Sequence, residues 1–469
     1  MLFNSISFCL FFLLVYIIHW LIPNKYRWLL LLFFSYLFYI SWNPVYILII
    51  IFSTSIDYFA CRFLTGSPKK IKRKWGLFIS IFSNLSLLFV FKYYSFFHEI
   101  FNTLFITQNT AYSYQVDEFV IPVGISFYTF QTLSYSIDVY RQTTKVEKHF
   151  GRFALYVSFF PQLIAGPIER ANNLMPQLSK KKWISLKMFK SGLIFFFMGL
   201  FQKIVVADNC GDLVDLYYGT YETQNGGTLL FATYLFAIQI YCDFAGYSNM
   251  AIGLAKLLGI NLQANFRSPY FSGSFTKFWR RWHISLSTWM RDYIYVPLGG
   301  NKRGVIRMSI SLFLTFLFAG LWHGAGFTFV LWGLLNFVFL WIEKLLLTRV
   351  IHAKSLIGRF IFGLIVFNGI CLTWIFFRSP TLEQSFYILE QIFSLSFYDF
   401  YFIAGENKFS MAIISCVILL FIEVQFLFKS IDQIKEKSLF QRYLNYFIII
   451  FSILLLANSH GEPFIYFQF

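Results

Sequence analysis

Charge is what this 469-residue sequence has least of: 13% of its residues are Asp, Glu, Lys or Arg, while 58% are hydrophobic. Soluble chains are about a quarter charged, so an ordinary water-facing globule is excluded. Acid is scarcer than base, with 22 acidic against 39 basic residues. The resulting formal charge of +17 invites a nucleic-acid partner, but Lys and Arg concentrate in short loops between apolar runs. That placement is the positive-inside pattern of cytoplasmic loops, and no nucleic acid is expected. Cysteine is sparse too. The six Cys, at 9, 61, 210, 242, 371 and 416, form no CxxC pair and no Cys/His cluster at zinc spacing. Small buried hydrophobes explain them, and neither a disulfide framework nor a metal site is expected. No Pro/Gly/Ser-rich linker, low-complexity tract or fixed-period repeat divides the chain, which reads as one membrane-embedded domain over 1–469. Nor is there a basic leader or small-residue cleavage site before the first apolar run, so residues from 5 on read as a first span.

What is present in excess is uncharged apolar sequence. Candidate spans lie near 5–22, 26–41, 44–64, 76–97, 119–139, 152–168, 187–206, 228–258, 305–320, 322–347, 357–377, 409–428 and 443–458. The segments 119–139 and 152–168 are short or rich in Gly and Pro, and read as re-entrant or broken helices. The expectation is an all-α polytopic membrane protein with roughly 10–12 crossings plus re-entrant and interfacial helices. Loop charge alternates: 68–74 (PKKIKRK) is basic, 99–118 has acids and no base, 207–224 and 379–407 each have four acids and no base, and 429–442 is net positive. Basic loops inside and acidic loops outside place both termini outside. Outward segments of about 30 residues or fewer leave no room for a soluble domain, which needs at least about 50.

Within 309–340 there is no Lys, Arg, Asp or Glu, yet His323 stands there in GLWHGAGFTF. An ionisable group at bilayer depth is costly and usually functional, and imidazole is the common general base near neutral pH. The plainer alternative is a histidine that bonds a neighbouring carbonyl and fixes helix packing. Gly320 and Gly324 have the small-xxx-small spacing of closely packed helices. A second cluster fills 274–304. At about 100° per residue, Trp282, Leu286 and Trp289 share one face with Trp279 at its edge, Arg280, Ser287 and Arg291 lie opposite, and His283 falls at the boundary. Such a helix lies at the membrane interface, either anchored to anionic lipid or docking a polyanionic acyl donor through Arg280, Arg281 and Arg291. Asp243 reads as the other charge well inside a span; it needs a partner, an arginine to pair with or a histidine to orient. Histidines 19, 98, 149, 352 and 460 sit at span ends or in loops and are assigned no role. No nucleophile elbow, phosphate loop or metal spacing appears. A lone intramembrane histidine suits transfer of an already activated acyl group to a hydroxyl, with no covalent enzyme intermediate required.

The stretches FPQLIAGPIER (160–170), YCDFAGYSNMAIGLAKLLG (241–259), FWRRWHISLSTWMRDYIYVPLGGNKRG (278–304) and LWHGAGFTFVLWG (321–333) resemble the membrane-bound O-acyltransferase (MBOAT) family, in the branch of alginate and peptidoglycan O-acetyltransferase membrane subunits. The ending EPFIYFQF is similar to that branch as well. The resemblance implies an active-site histidine at His323, a second family histidine at His283, and a central tunnel crossing the membrane past the first. It implies acetyl-CoA as a cytoplasmic donor substrate rather than a bound cofactor, a polysaccharide acceptor outside, a separate extracytoplasmic acetyltransferase or carrier protein, and a bacterial inner-membrane location. Cys242 and Asn249 stand where the pattern leads one to expect an aromatic residue and an Asp. Transfer of another acyl group, such as D-alanine to teichoic acid, stays open. A transporter or flippase is the reading from a different class; it would show repeat symmetry and charges in several spans, neither of which the sequence displays.

Overall fold

The computed structural model describes residues 1–66, 69–105, 122–347, 356–394, 406–426, 439–458 and 464–465, and these contain helices and no strand. Apolar runs without water to satisfy their amides close their own hydrogen bonds, which leaves the helix as the local solution. The chain folds as two compact units, 1–192 with 254–263, and 193–253 with 264–469. Neither division falls at a linker.

The first unit holds α1 (Ile6–Leu21), α2 (Arg27–Ile40), α3 (Tyr46–Thr65), α4 (Lys70–Leu88), α5 (Tyr94–Phe105), α6 (Ile125–Tyr140), α7 (Phe150–Ser158), α8 (Phe160–Leu163), α9 (Ala171–Ser179) and the start of α10 (Leu186–Leu200). The part of 119–139 before residue 122 lies outside the described residues; the rest begins at Pro122 and Gly124 and forms the 16-residue α6. The run 152–168 is broken, as its composition indicated. Helix α7 stops at Ser158, α8 lasts four residues, and Gly166 and Pro167 follow in non-helical chain. Glu169 closes that stretch from inside. It accepts from Asn173 Nδ2 and the Gln263 main-chain N–H, both at 2.6 Å, and burial pushes its carboxyl up to about 7. Between α3, α4 and α6 lies a charge absent from the sequence-based expectation, Asp57. It accepts from Ser80 Oγ at 2.5 Å and from Asn84 Nδ2 at 2.8 and 2.9 Å.

In the second unit α10 passes through a π-helical turn, Phe201–Ala207, into α11 (Asp208–Gly219). Residues 207–224 were expected as an outward loop; most of them are helix instead, because their acids find partners along it. Asp212 faces Lys408 at 3.1 Å and Asp215 faces Arg378 at 2.6 Å. There follow α12 (Gly226–Leu257), α13 (Phe275–Trp279), α14 (Ile284–Met290), α15 (Val296–Leu298), α16 (Gly304–His323), α17 (Phe327–Ile342), α18 (Leu356–Arg378), α19 (Leu382–Phe393), α20 (Glu406–Phe426) and α21 (Leu439–Leu456). Among the described residues eight helical segments are long and apolar enough to cross a membrane, and two shorter apolar helices, Ile6–Leu21 and Phe440–Leu456, accompany them. The chain is a multi-pass membrane protein.

Helices α16 and α17 meet closely through two glycines. A Cβ on Gly320 would collide with the Phe329 carbonyl, and one on Gly333 with the Phe316 carbonyl. The partner of Gly320 is therefore Gly333 across the hairpin, not Gly324 along the same helix, whose absent Cβ makes room for the Phe329 ring. Gly320→Ala is expected to lower thermal stability by roughly 1–3 kcal/mol through overpacking. Gly363→Ala in α18, where a Cβ meets nothing within 4 Å, should not. Scanning calorimetry of the two variants in detergent checks this, and equal melting points would refute the close-packing account.

Candidate active site

His323 is the last residue of α16, one position before the extended turn at Gly324 that leads to α17. The sequence placed it inside the second of two spans; the structure places it at the end of the first, where the backbone leaves the helix. Its side chain is buried, held edge-on by Trp332 of α17 (4.9 Å between ring centroids, 81°) and by Phe377 of α18 (5.1 Å, 73°). Its neighbour Trp322 lies at 4.8 Å.

The cluster 274–304 is not one amphipathic helix. Helix α13 ends at Trp279, Arg280 to His283 form a break, and α14 starts at Ile284. His283 lies in the left-handed region, at φ 41° and ψ 56°, a conformation that costs an ordinary residue roughly 1–2 kcal/mol. Asn265 offsets that cost. Its main-chain carbonyl accepts from Ile284 N (2.8 Å), and its Oδ1 accepts from Ser285 N (3.2 Å), Ser285 Oγ (2.9 Å) and His283 Nδ1 (3.2 Å). Each such bond contributes about 1 kcal/mol net. Because the Ser285 amide can only donate, the Asn265 oxygen is oriented toward it, and Nδ1 of His283 carries the proton. The basic lone pair is then on Nε2. Rather than lying at the edge of an interfacial face, His283 is 1% exposed, and burial pushes its imidazole down to about 3.

The two histidines share one indole: Trp322 lies 4.8 Å from His323 and 5.9 Å from His283. The ring contacts continue from His323 through Trp332, Trp374, Trp282 and Phe266 to His283, closing a circuit. Trp279 belongs to this wall, 5.8 Å from Trp332 and 5.2 Å from Phe316. The arginines part from it. Arg280 and Arg291 are exposed, Arg291 bonding Asp292 at 2.8 Å, while Arg281 reaches back to the Phe271 carbonyl at 3.4 Å. The polar and aromatic faces foreseen for 274–304 thus exist, built by two short helices and a break.

Asp243 has neither an arginine nor a histidine as its partner. It faces Lys203 Nζ at 2.9 Å, and Lys203 also bonds Asp208 at 2.6 Å. The π turn makes this possible, since it brings residues five apart onto one side. Of the charges inside spans only Asp243 was anticipated, yet Asp57, Lys203, Glu343 and Glu423 are buried there as well. Glu343, at the end of α17, caps α13 by accepting from Phe275 N (2.5 Å) and Thr276 N (3.1 Å). Glu423 of α20 accepts from Tyr241 at 2.7 Å, and Tyr241 packs on Trp282 at 6.3 Å. A lone Lys in an apolar run with an Asp five residues on was the available signal for the first pair. Asn249, the departure from the family pattern, donates to Gln202 at 2.7 Å as a neutral group.

A helix-end histidine thus stands in an aromatic wall, with a second buried histidine across the same indole. The model of the membrane-bound O-acyltransferase family matches residues 147–378, the interval that carries both histidines, and the chain belongs to this family: it is a membrane acyltransferase. It is similar to a probable alginate O-acetylase of Pseudomonas aeruginosa, 36% identical over 397 residues, covering 84% of this chain and 75% of that protein. A peptidoglycan O-acetyltransferase of Helicobacter pylori is 34% identical over 433 residues, with 84% and 80% covered. A teichoic acid D-alanyltransferase of Bacillus subtilis is 29% identical over 228 residues, 46% of this chain and 57% of that one.

Neutral His283 with its proton on Nδ1 is directly observable. Solid-state 15N spectra of imidazole-labelled protein should show a His283 signal that does not titrate between about pH 5 and pH 8, where a solvent-exposed imidazole would. In Asn265→Ala the Nδ1–H tautomer should lose its dominance. A wild-type signal protonated on Nε2 alone would refute the assignment.

Proposed function

We propose that this chain is an O-acetyltransferase in which His323 acts as general base, passing an acetyl group from cytoplasmic acetyl-CoA toward an extracytoplasmic polysaccharide. The observation that carries the reading is the shared indole, which sets two buried imidazoles on one wall inside the family interval. In the proposed step the acceptor hydroxyl gives its proton to His323 as its oxygen attacks the thioester carbonyl. The C–S bond then breaks, and the thiolate takes the proton back and leaves as free thiol. His283, neutral and fixed in one tautomer, is the second imidazole of the site and presents Nε2 toward the reacting groups.

Arg280, Arg281 and Arg291 supply charge for the phosphates of the donor, and Trp279, next to Arg280, belongs to the wall around His323. The names of two relatives matched over most of this chain, an alginate O-acetylase and a peptidoglycan O-acetyltransferase, support acetyl transfer to a polysaccharide; a location in the bacterial inner membrane belongs to the same proposal. The teichoic acid relative matches less than half of this chain, so D-alanyl transfer has weaker support. His323 is itself buried at the end of α16, and a buried base is reached only by something narrow. A separate extracytoplasmic transferase or carrier protein therefore belongs to the proposal as the protein that collects the acetyl group.

His323→Ala should reduce acetyl transfer by about 10²–10⁴-fold, the usual worth of a general base, with normal amounts of protein in the membrane. Wild-type acetylation in that variant would end the assignment. A second measurement addresses donor and partner together. In liposomes with acetyl-CoA inside and polysaccharide outside, the chain alone should leave the polymer unmodified, and Arg280→Glu with Arg291→Glu should raise the donor KM in the way added salt does. Efficient acetylation without a second protein would overturn the relay.

A further inference from the structure

Phe464 and Ile465 are buried, at 0% and 4% exposure. The main-chain N–H of Ile465 donates to Asp243 Oδ2 at 2.6 Å, while the other carboxylate oxygen faces Lys203. A bond from an amide to a buried carboxylate is charge-assisted and about twice as strong as a neutral one. The chain leaving α21 is held by the same structure that carries Lys203. Asn458 N donates to the Ile204 carbonyl in the π turn at 2.9 Å, and Asn209 Nδ2 donates to the Leu456 carbonyl at 2.8 Å. From this anchorage the Phe464 ring packs on Tyr247 at 4.5 Å and on Phe244 at 5.8 Å. Phe244 in turn meets the His283 imidazole edge-to-face at 4.5 Å and 88°, closer than Trp322 or Phe266 approaches it.

We propose that Phe464 and Ile465 form a strap that positions His283, with Asp243 as its buckle. The inference rests on the reading of His283 as part of the acyl-transfer site. Nδ1 of His283 meets Asn265 Oδ1 at 3.2 Å and Ser285 Oγ at 3.5 Å, but contacts at one ring nitrogen leave the ring free to tilt about that edge. Phe244 fixes the tilt, and Phe464 backs Phe244. Lys203 supplies the counter-charge at depth, so that the Asp243 side chain holds the strap amide with one oxygen and the ammonium with the other. Removing the Phe464 side chain leaves a void into which Phe244 turns, and His283 loses its wall while the Asn265 contacts and the Trp322 face remain. The strap residues touch no substrate; they act through Phe244.

The test uses the full chain in nanodiscs and maps histidine modification by diethyl pyrocarbonate with mass spectrometry. Wild-type His283 should be protected. Phe464→Ala should raise its modification by about tenfold or more, as local opening does, while His19, buried in the other compact unit, stays protected. Phe464→Leu, which refills the space, should restore protection. Adding Phe244→Ala to Phe464→Ala should bring little further change, because both remove one contact. For acetyl transfer the expected pattern is a fall in kcat of about 10- to 100-fold, as for a slightly misplaced group, with the acetyl-CoA KM unchanged. Unchanged His283 modification in Phe464→Ala overturns the strap, and so does equal modification of His19, which would mean general unfolding. Increased His283 modification with unaltered kcat supports the strap and instead removes His283 from the transfer reaction.

Discussion

One side-chain oxygen, Oδ1 of Asn265, holds together the part of this molecule in which chemistry is expected. It takes hydrogen bonds from the amide and hydroxyl of Ser285 and from Nδ1 of His283. Without it the chain between α13 and α14 has no reason to adopt a left-handed residue, and continuing the helix is cheaper. With it the helix breaks, Trp282 and His283 turn inward, and Arg280 remains outside. Its own amide donates to Ser248 Oγ on α12 at 3.1 Å, so the break is referenced to a long helix of 32 residues. The aromatic circuit then follows, since the rings of Trp282 and His283 reach Phe266, Trp374 and Trp322 only from the broken geometry.

Much of the architecture was legible because membrane helices advertise themselves by composition. The runs 44–64, 228–258 and 357–377 became α3, α12 and α18 with ends shifted by a few residues. Gly and Pro marked the break in 152–168. His323 stood out because nothing charged surrounds it. The break at His283 was not legible, since a phase of about 100° per residue assumes an uninterrupted helix and no glycine marks the left-handed residue. Even so, Trp282, Leu286 and Trp289 are buried while Arg280 and Arg291 are exposed, as the continuous helix would have shown them. Residues 207–224 misled for a related reason. A count of acids does not distinguish a loop from a helix, and three of the four acids there pair with Lys203, Lys408 and Arg378. Lys203 itself escaped notice because a salt bridge between residues five apart belongs to a π turn, which periodicity arguments do not contain.

The buried carboxylates share a task that neither sequence pattern nor family likeness reveals. Glu169 accepts the main-chain N–H of Gln263, Glu343 those of Phe275 and Thr276, and Asp243 that of Ile465. In each case the donor lies in non-helical chain or in the first turn of a helix, where the amide has no helical carbonyl four residues back. An amide shielded from water and left unsatisfied costs free energy comparable to a lost hydrogen bond. A carboxylate placed there satisfies the amide and draws its own stabilisation from the bond. Breaks in the helices are what bring histidine and tryptophan side chains to one place, and the acids satisfy main-chain amides that such breaks leave open. An acid that serves a broken helix from another part of the chain leaves no local pattern, which is why Glu343 and Glu169 could be recognised only once the fold had brought them to the amides they hold.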